Sequence, residues 1–75
     1  MDIDYDRIDE AVLALLWLNL EATSMAWKGF DWRAMERLHK KDLVSDPVGK
    51  AKSVQLSEAG RIEGERLFHE LFTRR

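Results

Sequence analysis

Few side chains in this sequence stand at spacings that could support covalent chemistry. His69-Glu70-Leu71-Phe72-Thr73 falls short of the zinc-protease helix signature, because Thr73 occupies the second histidine position. His39 lies at the edge of an apolar helix face with no second ligand spaced to join it, and reads as a partly buried packing histidine. Ser24, Ser45, Ser53 and Ser57 have no evident base to activate them, and Ser57 is placed to cap a helix. Glu65 and His69, one helical turn apart, suggest a surface pair. Gly49 fits a turn, while Gly60 and Gly64 are spaced for helix packing and not for a phosphate loop. The absence of cysteine removes disulfide scaffolds, zinc ribbons and thiolate catalysis together. The expectation is a protein that is not an enzyme, with no cofactor, no metal and no small-molecule substrate.

Binding chemistry is better represented, because the charge is unevenly spread. Residues 1–23 set six acids against Arg7, residues 24–56 set seven cations against four acids, and the last nineteen residues balance. An acidic entry segment beside a basic middle could steer an anionic partner to one face. The cations available for phosphate contact are Arg33, Arg37, Lys40 and Lys41, followed by Lys50 and Lys52. Arg33/Arg37 and Arg37/Lys41 are like-charged neighbours one turn apart, an arrangement that costs a few tenths of a kcal/mol unless an anion is present.

The elements that position these residues follow from periodicity. A first helix is expected from a cap near Asp6 to about Glu21, with Ile8, Val12 and Leu15 as one stripe. Leu13, Leu16, Leu18 and Leu20 make it apolar almost all round. Such a helix is either central or part of a subunit interface. Its most polar strip is Glu10, Ala14, Trp17 and Glu21, which places Trp17 outward, and Asn19 falls on the Ile8 stripe. Residues 22–30 lose the periodicity and read as a connection with at most a single helical turn, from which Trp27 and Phe30 fold back over the core. Asp31 caps a helix over 32–42, with Phe30 and Met35 as a hydrophobic staple. That helix has an apolar half of Trp32, Ala34, Met35, Leu38 and His39. Leu43-Val44-Ser45 and Ala51 to Leu56 then form two short strands around a turn at Asp46-Pro47-Val48-Gly49, with Val54 and Leu56 inward. Ser57 caps the last helix, whose stripe of Gly60, Gly64, Leu67, Phe68, Leu71 and Phe72 invites close backbone approach at the two glycines.

Trp32 to Val44, followed by Asp46 to Gly60, resembles the second half of a winged-helix domain. In that family a helix ending in Leu-x-x-x-Gly-Leu-Val/Ile leads into a β-hairpin wing, and the second strand ends in Leu-Thr/Ser-x-x-Gly. The matching residues are Leu38, Leu43, Val44, Leu56, Ser57 and Gly60. Asp42 stands where the family usually has glycine, a position it can hold in a left-handed conformation. Only nine residues, 22–30, separate the first helix from Asp31, so the positioning helix of a helix-turn-helix is shortened or absent. The whole chain is also similar to a family of short bacterial proteins with no assigned activity. The resemblance implies that helix 32–42 would enter the major groove and that the wing 46–52 would touch phosphates.

The expected architecture is thus α+β and winged-helix-like, a single domain over 1–75 with three main helices and a two-stranded β-hairpin between the second and third. At 75 residues a chain buries little more than 60% of its unfolded surface, which favours sharing a core with a partner. The leading functional expectation is a small non-enzymatic interaction or regulatory domain that self-associates as a homo-oligomer, most simply a dimer, through Trp17, Ala14, Leu18, Leu67, Phe68, Leu71 and Phe72. The alternative is a nucleic-acid-binding regulator that uses helix 32–42 and the wing. Asp2, Asp4 and Asp6 stand where a signal peptide needs positive charge, and the longest apolar run, Ala11 to Leu18, is too short to span a bilayer. A cytoplasmic protein with no membrane partner is expected.

Overall fold

The computed structural model of the chain describes residues 1–20, 25–27, 29–48 and 53–74. The elements run α1 (Tyr5–Leu18), β1 (Met25–Trp27), α2 (Trp32–Lys40), β2 (Ser53–Gln55) and α3 (Glu58–Phe72), a small α+β fold with three helices among the described residues. No helix among the described residues is long and apolar enough to cross a membrane.

Each helix starts on a side-chain cap. Asp4, and not Asp6, caps α1, its carboxylate accepting the Arg7 N–H at 3.1 Å. The helix also stops earlier than expected, at Leu18, with Asn19 as its C-cap. Asn19 is exposed and needs no buried partner, since its Nδ2 turns back to donate to the Leu15 carbonyl at 2.8 Å. Asp31 caps α2 by accepting from Ala34 N–H at 3.1 Å, and Phe30 packs against the core that contains Met35, as the staple requires. Helix α2 ends two residues before the expected limit, in a Schellman turn: Leu43 N–H donates to Leu38 O at 3.1 Å and Asp42 N–H to His39 O at 2.9 Å. Asp42 takes the left-handed position of that turn with φ 60. Its short polar side chain tolerates what a β-branched residue would not. Ser57 caps α3 through Gly60 N–H at 3.0 Å. Its hydroxyl also donates to the Asp42 carbonyl at 2.7 Å. Ser57→Ala should therefore cost about 1–2 kcal/mol, at the upper end for a cap because the bonds to the Asp42 and Leu43 carbonyls are lost with it, and thermal unfolding followed by circular dichroism measures it.

The sheet departs from expectation in two respects. Residues 25–27, read as part of a loop or helical turn, form β1 and pair antiparallel with β2 in the register Met25↔Gln55, Ala26↔Val54, Trp27↔Ser53. Ala26 is buried opposite the fully buried Val54, so β1 closes the inner face that Val54 alone would leave open. The predicted partner of β2, Leu43 to Ser45, is reduced to an isolated antiparallel bridge, Val44↔Leu56, with Ser45 N–H donating to Gln55 O at 2.8 Å. Val54 and Leu56 point inward and Gln55 outward, following the two-residue period of a strand. Asp46 accepts the Val48 N–H at 2.9 Å where the turn begins. The rest of the turn, with Lys50 and Lys52, lies outside the described residues, as does the side chain of Trp27.

The core is one cluster that joins all five elements, built on Leu13, Leu16, Met35, Leu38, Val54 and Leu67. Helix α1 is its centre, packed against both α2 and α3. The two glycines of α3 do what their spacing suggested. A Cβ on Gly60 would lie 2.0 Å from the Leu43 carbonyl oxygen, and one on Gly64 would lie 2.9 Å from Trp17 Cβ.

Candidate functional site

Two surfaces were expected to carry function, the basic side of α2 and an apolar seam on α1 and α3, and α1 controls both through its rotation about its own axis. In the rotation it adopts, Val12, Leu13, Ala14 and Leu16 are buried and Asp9 faces α2. The Asp9 carboxylate is 2% exposed, and both oxygens accept from Arg37, Nε donating at 2.7 Å and Nη2 at 2.7 Å. The two-pronged geometry matches the planar guanidinium to the carboxylate, which a lysine could not do. The Tyr5 ring lies against the same guanidinium, 5.0 Å from centroid to carbon. Hydrogen bonding to Asp9 holds Arg37 above the ordinary arginine pKa, against desolvation, with the charge of Asp9 adding to the effect. Because the folded-state value is raised, the stability this contributes is present at neutral and moderately alkaline pH, and is lost as pH rises through the arginine range.

This pair corrects the expected phosphate surface. Arg37 points at α1 and is held there, so it is not a free cation on an outer face. Lys41 reaches towards Asp6 at 3.9 Å with both groups well exposed, a contact that adds little stability. Arg33 and Lys40 are exposed on α2 as expected. The apolar half of α2 is also narrower than expected: Ala34, Met35 and Leu38 are buried, whereas Trp32 is 49% exposed and donates from Nε1 to Glu36 at 2.8 Å. His39 is half-buried, its Nδ1 donating to the Val44 carbonyl at 3.1 Å, in keeping with a packing role. It borders a shallow open groove of about 340 Å³ shared with Asp42, Ser45, Gln55 and Ser57.

The expected apolar seam divides into three parts. Ala14 and Leu67, at 0% and 2% exposure, belong to the core and cannot meet a partner. Trp17, Phe68 and Leu71 are half-buried and pack against that core. Trp17 does not stand outward: its ring lies 5.2 Å from Phe68 and 5.8 Å from His69, with its Cβ over Gly64, and it joins α1 to α3. His69 thus meets Trp17 and Phe68, while Glu63 and Glu70 hold Arg66 on the surface of α3. Leu18 and Phe72 are exposed, at 53% and 47%.

Turning Asp9 inward turns Ile8 outward. Ile8, expected in the core, is 38% exposed. Ala11 and Leu15, on the same side, are half-buried and lie outside the core cluster. Ile8, Ala11, Leu15 and Leu18 stand at i, i+3, i+7 and i+10, the spacing of the apolar positions in a two-helix seam. The side of α1 that neither α2 nor α3 covers is therefore an apolar stripe. Its helix was legible as apolar all round; the position of the uncovered side was not, because the signal for it is the pairing of Asp9 with a residue in another helix.

Known proteins match the chain over nearly its full length. Residues 4–74 match a family described as a domain of unknown function, DUF6429. A relative from Sinorhizobium fredii, described as uncharacterized protein y4hR, is 55% identical over 74 residues, covering 99% of this chain and 100% of the relative. No solved structure matches the chain.

Proposed function

The chain belongs to the DUF6429 family of domains of unknown function, and from its geometry we propose a small non-enzymatic interaction domain that self-associates through the uncovered side of α1. One observation carries the reading: the free side of the central helix is lined by Ile8, Ala11, Leu15 and Leu18, where a solvated helix would carry charge.

The fold itself is read as winged-helix-like without a positioning helix. Support comes from the Val44↔Leu56 bridge, which joins the two arms of the wing antiparallel, and from Ser57 capping α3 directly after the second arm. Nucleic-acid binding through α2 and the wing is the weaker reading, since the central cation of α2, Arg37, is held by Asp9.

Light scattering behind a sizing column tests self-association directly. The parent chain should have the mass of a dimer at tens of micromolar. Leu18→Glu should raise the concentration needed for dimer at least tenfold, because it places a carboxylate in an apolar seam. As Leu18 is exposed, the melting temperature of the monomer should stay within about 2 °C. A parent that stays monomeric over a wide concentration range would overturn the proposal.

A further inference from the structure

Resting on that reading, we infer that the occupant of the α1 stripe is a second copy of this chain, and that the two α1 helices pair antiparallel about a two-fold axis near Leu13. In that register Ile8 faces Leu18 of the second copy and Ala11 faces its Leu15. The stripe is complementary to itself under this operation alone. Both central layers set a small residue against a large one, which lets the helices approach, and both outer layers set two large exposed residues together, Ile8 at 38% and Leu18 at 53%. A parallel pair would put Ala11 against Ala11 and leave that layer underfilled.

Charge selects the same orientation. Asp2, Asp4 and Asp6 crowd the N-terminal end of α1, whereas the sequence just after its C-terminal end holds a single acid, Glu21. A parallel pair would bring the two acidic ends together. An antiparallel pair holds them apart by the length of the helix, about 21 Å for its 14 residues, about two and a half times the screening length at physiological salt. It also sets the positive N-terminal dipole of each helix beside the negative C-terminal dipole of the other.

The lack of cysteine makes a clean cross-linking test available. Ile8→Cys and Leu18→Cys proteins are oxidised separately and as an equimolar mixture, at a concentration where the column shows dimer. The mixture should give disulfide-linked dimer at five times or more the yield of either protein alone. Should the cysteines weaken the dimer, Ala11→Cys with Leu15→Cys probes the inner layer in the same way. Efficient cross-linking of either protein with itself would mean parallel pairing and overturn the inference. No cross-link in the mixture, with the parent still dimeric, would place the seam elsewhere and overturn it as well, leaving self-association intact. A parent without any dimer would instead remove the functional reading on which it rests.

Discussion

An Arg37→Met protein is expected to melt on the order of 15 °C below the parent, while the Asp9→Leu/Arg37→Met double variant recovers most of that loss. The asymmetry follows from where the two charges sit. The Asp9 carboxylate is 2% exposed and has both oxygens occupied by Arg37, so removing the guanidinium strands a charge that water cannot reach. The Arg37 side chain, at 29% exposure, keeps access to solvent, so Asp9→Leu alone should cost less than Arg37→Met. Replacing both with apolar side chains removes the desolvation penalty along with the attraction. Melting curves of the parent and the three variants complete a double-mutant cycle. A loss of only a few degrees in Arg37→Met, or a double variant no better than the single, would show that this pair does not hold α2 to α1. The same cycle bears on the basic face: a guanidinium needed inside the fold is not available to a phosphate outside it.

Gly60→Ala should destabilise by about 2–4 kcal/mol, even though alanine is the better helix former by about 1 kcal/mol. At ordinary helical glycines the propensity term wins and alanine stabilises. Here the added methyl would sit 2.0 Å from the Leu43 carbonyl oxygen. That oxygen is not free to retreat, because it accepts the Ser57 N–H at 3.0 Å and follows directly on the left-handed Asp42. Moving it opens the α2 turn and the α3 cap together. Against a total stability of roughly 4–11 kcal/mol for a chain of this length, the loss should leave a visible unfolded fraction well below the parent's melting range. Gly64→Ala should cost less, since its nearest neighbour at 2.9 Å is the Cβ of the Trp17 side chain. Denaturant titration of both, with Ala59→Gly as an exposed reference that loses only propensity, measures the difference. A Gly60→Ala protein as stable as the parent would mean that α3 and the α2 turn are not in contact as described.

Features made by neighbours in sequence were legible without coordinates. The caps at Asp31 and Ser57, the Phe30 staple, the left-handed Asp42 and the inward Val54 and Leu56 each depend on residues within about five positions. Hydrogen bonds of one turn, and side-chain periods of 2 or 3.6, are local physics. The glycines of α3 were also legible, because two on one face carry a helix cost that only close packing offsets. Two features were not. Strand β1 has three residues and no alternation, and forms because β2, some 28 positions later, offers Val54 an open inner face. The rotation of α1 was hidden for the same reason. A helix that is apolar all round can bury any side, and its orientation follows from Asp9 meeting Arg37, again 28 positions away. In that orientation Trp17 packs on α3 and Ile8, Ala11, Leu15 and Leu18 lie towards the surface. Periodicity states how much apolar surface a helix has, but which part stays uncovered depends on long-range pairing.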